Sequence, residues 1–244
     1  INGDAAPGAA YIRPSGRPST VPAAGGPKRG RQRKKVTMRT DTPKAIRLKS
    51  YRPPAYLVES VELDVVLAAR RTRVRSRLLV KPNPAVGGAP GPLVLDGESL
   101  ELVSLAIEGR PLTAGDYTVT AHALTIPSPP KGKLTLDVET LVDPESNKAL
   151  QGLYRSRGVY CTQCEAQGFR RITYFPDRPD VLSVYRVRLE ADASETPVLL
   201  SNGNLIERGT LARGKRHYAV WHDPFPKPCY LFALVGGDLS SIAS

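Results

Sequence analysis

The sequence predicts an all-β sandwich domain preceded by a basic N-terminal tail. From Tyr51 onward, apolar residues recur at every second position, which is the period of a half-buried strand and not of an amphipathic helix. Clusters of Gly, Pro, Asn and Asp separate these short runs at even spacing, as the turns of a sandwich do. Before Tyr51 the chain is basic and poor in large apolar residues, so the two parts differ in kind.

The N-terminal tail holds most of the net charge. Residues 1–50 contain twelve Lys or Arg against two acids, a net charge of +10 out of +12 for the whole chain. A segment of this composition buries too little apolar surface to offset the entropy of ordering it. Residues 1–43 are therefore predicted to be a disordered tail and residues 44–244 a folded domain. Because the domain is nearly neutral, no nucleic-acid partner is expected.

The composition of the tail also resembles that of a targeting signal. It is acid-poor, basic and hydroxyl-bearing, like a transit segment that would direct the protein to a plastid or mitochondrion. Two alternatives remain: a nuclear localisation signal at 28–35 (KRGRQRKK), or a solvated tail with no address and a cytoplasmic location. No apolar run reaches the roughly 18 residues that span a bilayer, so no membrane partner is expected.

Alternation defines the strands of the domain. Residues 61–67 and 74–80 alternate apolar with polar side chains and predict two strands joined by a turn at Ala68–Arg71. Further strands are predicted at residues 93–95, 100–107, 117–120, 123–126, 134–141, 185–189, 198–200, 217–221 and 230–235. A chain of about 190 residues buries roughly 70% of its unfolded surface, which is enough for one domain.

Polar side chains crowd into residues 161–180. Gln163 offers a donor and an acceptor, Glu165 a negative charge, and Arg170 and Arg171 planar forks of donors. Two prolines and two aspartates close the stretch and predict a turn that would hold the preceding loop in one shape. The density of these groups indicates a loop that binds a ligand. The alternative is a solvated polar loop with no ligand.

The cysteines allow a metal or redox interpretation, but a structural one is preferred. Cys161 and Cys164 form a C-x-x-C pair, and Cys229, His217 and His222 are candidates for the other two ligands of a zinc ion. Neither combination has zinc-finger spacing, and no helix of a βαβ unit follows the pair as in redox proteins. Three cysteines in a chain of this length are typical of reduced, structural thiols. No metal ligand is assigned.

The stretch TQCEAQGFRRITYFPDRPD at 162–180 resembles the signature of the N-terminal domain in the aminopeptidase N family of gluzincin zinc aminopeptidases, in its bacterial and plant-type branch. The similarity covers roughly residues 44–240. One departure is that Ser183 and Val184 stand where the family usually has Ala followed by Lys or Arg. Four other segments resemble the same domain in the same order: YRPPAYLVESVELDV (51–65), LVLDGESLELVSLAIEGRPL (93–112), LLSNGNLIERG (199–209) and DPFPKPCYLFALVGGDL (223–239).

The resemblance implies a saddle-shaped, largely antiparallel β-domain that sits over a catalytic domain. It implies that Glu165 binds the ammonium group at a peptide N-terminus and that Gln163 lines the pocket for the first side chain. Zinc is expected in the missing catalytic domain and none bound by this chain, because no histidine here belongs to an H-E-x-x-H helix. The family's Gly-Ala-Met-Glu-Asn run is expected beyond Ser244. No catalytic residue is assigned, and the 244-residue chain alone is predicted to be inactive.

Two functions therefore follow from the sequence. The first is the N-terminal substrate-binding domain of a zinc metallo-aminopeptidase that removes N-terminal residues from peptides, with peptide N-termini and the catalytic domain as partners. The alternative is a stand-alone, non-catalytic β-sandwich interaction module. An open reading frame after Ser244 that encodes an H-E-x-x-H helix would distinguish the two.

Overall fold

A computed structural model describes residues 11–14, 47–88, 91–211 and 214–242. These residues form seventeen strands, which in chain order are β1 (Tyr11–Pro14), β2 (Tyr56–Val66), β3 (Thr72–Pro82), β4 (Leu93–Asp96), β5 (Glu101–Ile107), β6 (Arg110–Pro111), β7 (Thr118–Val119), β8 (Ala123–Ile126), β9 (Leu134–Val142), β10 (Gly152–Ser156), β11 (Val159–Gln163), β12 (Leu182–Asp192), β13 (Val198–Ser201), β14 (Asn204–Thr210), β15 (Arg216–Pro228), β16 (Leu234–Gly237) and β17 (Leu239–Ile242).

Helical structure is limited to short turns. Within the described ranges, the helical segments are three 3₁₀ turns at Leu48–Ser50, Phe169–Arg171 and Cys229–Leu231. None of them has the length or apolar character that crossing a membrane requires. The all-β class predicted from the alternation is confirmed.

The strands form one large sheet and three small ones. The large sheet has the order β14-β15-β12-β2-β3-β9-β5-β6, and the small sheets have the orders β10-β11-β16-β13, β4-β8-β7 and β1-β17. Every pair is antiparallel except β12 with β2, which run parallel. The sandwich is thus largely antiparallel, as expected.

Alternation along the large sheet produces one apolar and one charged face. On β2, the side chains of Val61, Leu63 and Val65 are buried, whereas Glu62 and Asp64 face outward. The outer face carries cross-strand ion pairs, namely Arg75 with Glu139 at 2.8 Å and Arg77 with Asp137 at 2.7 Å. Because side chains on a strand alternate between faces, the charged residues stay in solvent while the apolar ones build the core.

The apolar face of the large sheet packs against two of the small sheets. One contiguous cluster of buried side chains includes Leu78 of the large sheet, Leu93 and Leu124 of the β4-β8-β7 sheet, and Leu153 and Leu234 of the β10-β11-β16-β13 sheet. This two-layer packing is the sandwich arrangement that buries the apolar face of each sheet.

Residues 169–177 run between the two layers. The hydroxyl groups of Ser76 and Thr173 are 2.8 Å apart, and Thr140 Oγ1 donates to the carbonyl oxygen of Ile172 at 3.1 Å. Phe175 and Asp96 exchange both backbone hydrogen bonds, at 2.9 and 3.1 Å. The segment that follows the polar loop is therefore fixed to both layers of the sandwich.

Some elements differ from the sequence predictions. The strand predicted at 230–235 is wrong in its first half, because Cys229–Leu231 is a 3₁₀ turn and β16 begins only at Leu234. Asn204, which lies in the gap between the strands predicted at 198–200 and 217–221, begins β14. The strands β10 and β11 were not predicted, although they bear the candidate loop.

The described residues fall into two units: residues 11–14 belong with 53–88, 91–211 and 214–242, and residues 47–52 belong to the other unit. In the second unit, the described residues contain the turn Leu48–Ser50. Tyr11–Pro14, which belongs to the segment predicted to be disordered, pairs with β17. The rest of that segment and the predicted boundary at 43/44 lie outside the described residues.

Candidate functional site

The candidate site is the loop 163–168, which begins at the last residue of β11. The loop turns back on itself, since the backbone N–H of Gly168 donates to the carbonyl oxygen of Cys164 at 2.8 Å. The side-chain amide of Gln163 donates to the carbonyl oxygen of Glu165 at 3.2 Å. The peptide bond between Glu165 and Ala166 is cis. The two residues predicted to bind a ligand thus lie together on one closed turn.

Two glycines let the loop pack closely against its neighbours. A Cβ atom at Gly168 would lie 2.2 Å from the carbonyl oxygen of Gln163 and 2.8 Å from Cα of Cys164. Gly152, at the start of β10, has a φ of +70° and would place a Cβ atom 2.5 Å from that of Arg171. Because only glycine fits these contacts, the start of β10 and the end of the loop are in direct backbone contact.

The loop presents its polar side chains to solvent. Gln163 and Glu165 are exposed, whereas Cys164 between them is buried. Among the described residues, no hydrogen bond or ion pair reaches the Glu165 carboxylate. One amide N–H₂ of Gln163 is used inside the loop, which leaves its oxygen free to accept. The loop therefore offers one unpaired negative charge and one amide oxygen on a fixed backbone.

Arg170 and Arg171 serve the fold and not a ligand. Arg170 Nε lies 2.9 Å from Asp177 Oδ2, and Arg171 Nη2 lies 2.8 Å from Glu98 Oε2. Both arginine side chains are mostly buried, with 18% and 15% of their surface exposed. The hypothesis that these two arginines bind a ligand is wrong, since each side chain is mostly buried and pairs with a carboxylate of the domain.

Asp177 is the centre of a buried polar cluster that the sequence did not reveal. Its side chain is 1% exposed. Its Oδ2 accepts from the backbone N–H of Arg170 at 3.1 Å, and its Oδ1 accepts from Cys229 Sγ at 3.0 Å. Its own N–H donates to Asp96 Oδ2 at 3.0 Å. Burial raises the pKa of Asp96 despite its neighbour Arg170. The prolines and aspartates at 176–180 were the available signal in the sequence, but they predict only a turn and not a buried polar cluster.

Aromatic packing anchors the exit of the loop. The ring of Phe169 meets those of Phe175, Tyr185 and Phe232 edge-on, with centroids 5.1, 6.1 and 5.2 Å away. Lys227 Nζ lies 4.0 Å from the centroid of the Tyr185 ring. Edge-to-face contacts of this kind fix ring orientation as well as burying area. The residue after Gly168 is therefore held in the core.

The predicted metal and redox candidates do not come together. The three cysteines are free thiols, and burial raises the pKa of each. Cys229 bonds to Asp177, and His217 Nε2 lies 2.6 Å from the carbonyl oxygen of Thr196. In the described part of the chain, no three His, Cys, Asp or Glu side chains form a group that could hold a metal ion. These residues do not fit a zinc site.

A groove lies beside the loop. It has a volume of about 430 Å³, and its walls include Tyr56, Asp96, Gln167 and Arg170. Gln167 is exposed and belongs to the loop, so the groove reaches the candidate site from the side of Asp177. Fold and site together define an all-β domain that presents a free carboxylate and an amide oxygen on one rigidly held loop.

Comparison with known proteins identifies the family. The family model described as Peptidase M1 N-terminal domain matches residues 91–231, more than half of the chain, and the chain belongs to this family. Aminopeptidase N of Caulobacter vibrioides is 57% identical over 206 residues, which are 84% of this chain and 23% of that protein. Aminopeptidase N of Escherichia coli is 45% identical over 199 residues, 82% of this chain and 22% of that protein.

Solved structures agree with this assignment. Legionella pneumophila aminopeptidase A, in complex with aspartic acid, superposes with a TM-score of 0.76 at 40% identity over 79% of this chain and 22% of that one. An M1 zinc metallopeptidase from Deinococcus radiodurans has the same fold, with a TM-score of 0.64 at 18% identity over 75% of this chain and 42% of that one. The chain spans less than a quarter of the length of the aminopeptidases to which it is more closely similar. The resemblance stated from the sequence is confirmed: the chain belongs to the family of Peptidase M1 N-terminal domains.

Proposed function

We propose that this domain binds the N-terminus of peptide substrates in a zinc metallo-aminopeptidase that removes N-terminal residues. In this proposal Glu165 binds the substrate ammonium group and Gln163 lines the pocket for the first side chain. The observation that supports it most directly is the exposed, unpaired Glu165 carboxylate on a loop whose backbone is fixed at both ends. The relatives that share more than 40% identity are aminopeptidases, and an aminopeptidase must distinguish a free amine.

The chemistry of the loop suits an ammonium ligand. A carboxylate accepts charge-assisted hydrogen bonds from an ammonium group, and these are shorter and stronger than neutral ones. A fixed backbone reduces the conformational entropy that binding would otherwise cost. Zinc, in this proposal, is held by the catalytic domain of the full-length protein, where it would activate the water that attacks the peptide bond. The residues of this domain bind and orient the substrate.

Substitution of Glu165 by Gln tests the proposal in the full-length enzyme. The change keeps the shape of the side chain and removes its charge, so a charge-assisted bond worth about 1.5–3 kcal/mol is weakened. Since 1.4 kcal/mol corresponds to a factor of ten, we expect KM to rise on the order of ten- to a hundredfold. The contact with ammonium is made both before and during the reaction, so kcat should change less. Steady-state kinetics on amino-acid amides measure both constants.

The matched control is Glu62→Gln. Glu62 is also an exposed glutamate, but it lies on β2 in the outer face of the large sheet. Its substitution should leave KM unchanged. Unchanged kinetics in Glu165→Gln, with a lowered melting temperature, would show that Glu165 is a structural residue and would refute the proposal.

A further inference from the structure

The buried Asp177 is bonded to the residue that leaves the candidate loop. Asp177 Oδ2 accepts two hydrogen bonds from Arg170, from its backbone N–H at 3.1 Å and from its Nε at 2.9 Å. Arg170 Nη2 also donates to the carbonyl oxygen of Asp177 at 3.3 Å. Arg170 follows Gly168 by two positions and Glu165 by five. One carboxylate thus fixes both the backbone and the side chain at the exit of the loop.

Asp177 is itself held from two other directions. Its Oδ1 accepts from Cys229 Sγ, which belongs to the 3₁₀ turn after β15. Its backbone N–H donates to Asp96 Oδ2 at the end of β4, and Asp96 Oδ1 lies 3.6 Å from Arg170 Nη1. Segments from three regions of the chain therefore meet at Asp177. The side chain of Asp177 is 1% exposed and is enclosed by these partners.

A buried network of this kind restricts motion. A carboxylate taken out of water must keep its partners, because the free-energy cost of leaving it unpaired is large. When each member is hydrogen-bonded, the network becomes rigid and specifies one arrangement. At the other end of the loop, β11 is fixed by pairing with β10 and β16. The six residues of the loop lie between two fixed ends.

We propose that Asp177 is the positioning residue for Glu165: by fixing Arg170 it holds the loop 163–168 in the one orientation in which Glu165 and Gln163 can face a peptide N-terminus. This inference rests on the function proposed for Glu165. Asp177 acts through the backbone of the loop and does not touch the substrate. Its effect on catalysis must therefore pass through Glu165.

The test is a set of kinetic measurements on the full-length enzyme with Asp177→Asn, Glu165→Gln and the double variant. Asparagine has the shape of aspartate but loses the charge and turns one acceptor into a donor that faces Arg170. We expect KM to rise on the order of tenfold in Asp177→Asn, with a smaller change in kcat. In the double variant KM should be no higher than in Glu165→Gln alone, because residues that act through one contact are not additive.

Glu190→Gln is the control for a general loss of stability. Glu190 is also a largely buried carboxylate, 15% exposed, and it pairs with Arg188 and Arg216. Its substitution should lower the melting temperature and leave KM unchanged. If Asp177→Asn does not fold, Arg170→Lys replaces it, since lysine keeps the charge and the backbone bond but loses the fork of donors. The same rise in KM, smaller in size, is then expected.

Three outcomes would overturn the inference. The first is that Glu165→Gln raises KM while folded Asp177→Asn or Arg170→Lys leaves KM unchanged. This outcome refutes the role of Asp177 but leaves the proposed function of Glu165 intact. The second is a double variant whose KM rises by the product of the two single effects. The third is an equal rise in Glu190→Gln. If Glu165→Gln itself has no effect on KM, both the proposed function and this inference fail.

Discussion

The three thiols of this domain lie in different surroundings. Cys164 and Cys229 are 3% and 1% exposed, whereas Cys161 is partly exposed and borders an apolar groove of about 410 Å³ with Tyr154 and Val235. Burial raises the pKa of all three, and Asp177 raises that of Cys229 further. Since the thiolate is the reactive form, reactivity in the folded state depends on access as well as on pH.

We predict that Cys161 is the thiol that iodoacetamide modifies in the folded chain at pH 8. Cys164 and Cys229 should react only after denaturation, because they have neither access to the reagent nor a stabilised thiolate. Peptide mapping by mass spectrometry after timed labelling measures each site. Rapid labelling of Cys229 under native conditions would contradict the buried contact with Asp177. Labelling of all three sites in guanidinium chloride is the control.

Residue roles were only partly predictable from the sequence. The binding roles of Gln163 and Glu165 were predicted through the family resemblance and stay a prediction; the structure adds that the two residues share one turn and face solvent. Arg170 and Arg171 have the same polar character in the sequence, yet they pair with internal acids. The difference depends on partners such as Asp177 and Glu98, whose spatial proximity the local sequence does not encode.

At the scale of the element, Gly168 decides whether the loop can close. We predict that Gly168→Ala destabilises the domain, because the added Cβ atom would lie 2.2 Å from a backbone oxygen that cannot move aside alone. Overpacking of this kind costs typically about 1–3 kcal/mol. For a domain of this size, each kcal/mol lowers Tm by roughly 2–4 °C. Thermal unfolding followed by circular dichroism measures the shift.

Gly115→Ala is the matched control for that substitution. A Cβ atom at Gly115 meets no other atom within 4 Å, so Tm should change little. An equal change in the two variants would mean that the close approach at Gly168 does not limit the fold.

Alternation predicted the central strands of the large sheet well, but it predicted the edge strand β14 and the strands beside the site poorly. On β2, β3 and β9 a buried face opposes a charged one. Apolar and polar residues therefore alternate visibly in the sequence of these strands. On β14, six of the seven residues are exposed, and on β10 the two buried residues are adjacent. These strands are stabilised by pairing and close backbone contact instead of by one apolar face, so periodicity does not reveal them.

At the scale of the whole molecule, ion pairs across the sheet surface make stability depend on pH. Hydrogen bonds from Lys133 and Lys81 lower the pKa of Glu59 to about 2. Burial acts to raise the pKa of Glu190, but the hydrogen bonds from Arg216 and Arg188 outweigh it, and its pKa is lowered. A carboxyl whose pKa is lower in the folded state than in the unfolded state stabilises the fold while it is ionised.

We predict that the free energy of unfolding falls as the pH is lowered from about 4.5, the ordinary value for glutamate, toward 2. The contribution of these carboxylates is complete above their unfolded pKa and is lost as the pH passes through the folded one. Asp96 has a raised pKa and acts in the opposite direction. Urea midpoints at a series of pH values measure the change. In Glu190→Gln the acid-induced loss of unfolding free energy should be smaller than in the wild type. A wild-type urea midpoint that stays constant down to pH 2.5 would rule out this account.

The parallel pairing of β12 with β2 constrains how the chain can be made. Ser183 Oγ donates to the carbonyl oxygen of Val58 at 2.7 Å, across 125 positions of sequence. During synthesis, β2 therefore emerges from the ribosome long before the strand that completes its second edge. Until β12 follows, that edge exposes unpaired N–H and C=O groups, which invite pairing with other chains. The second edge of β2 is therefore completed only after residues 182–192 have been synthesised.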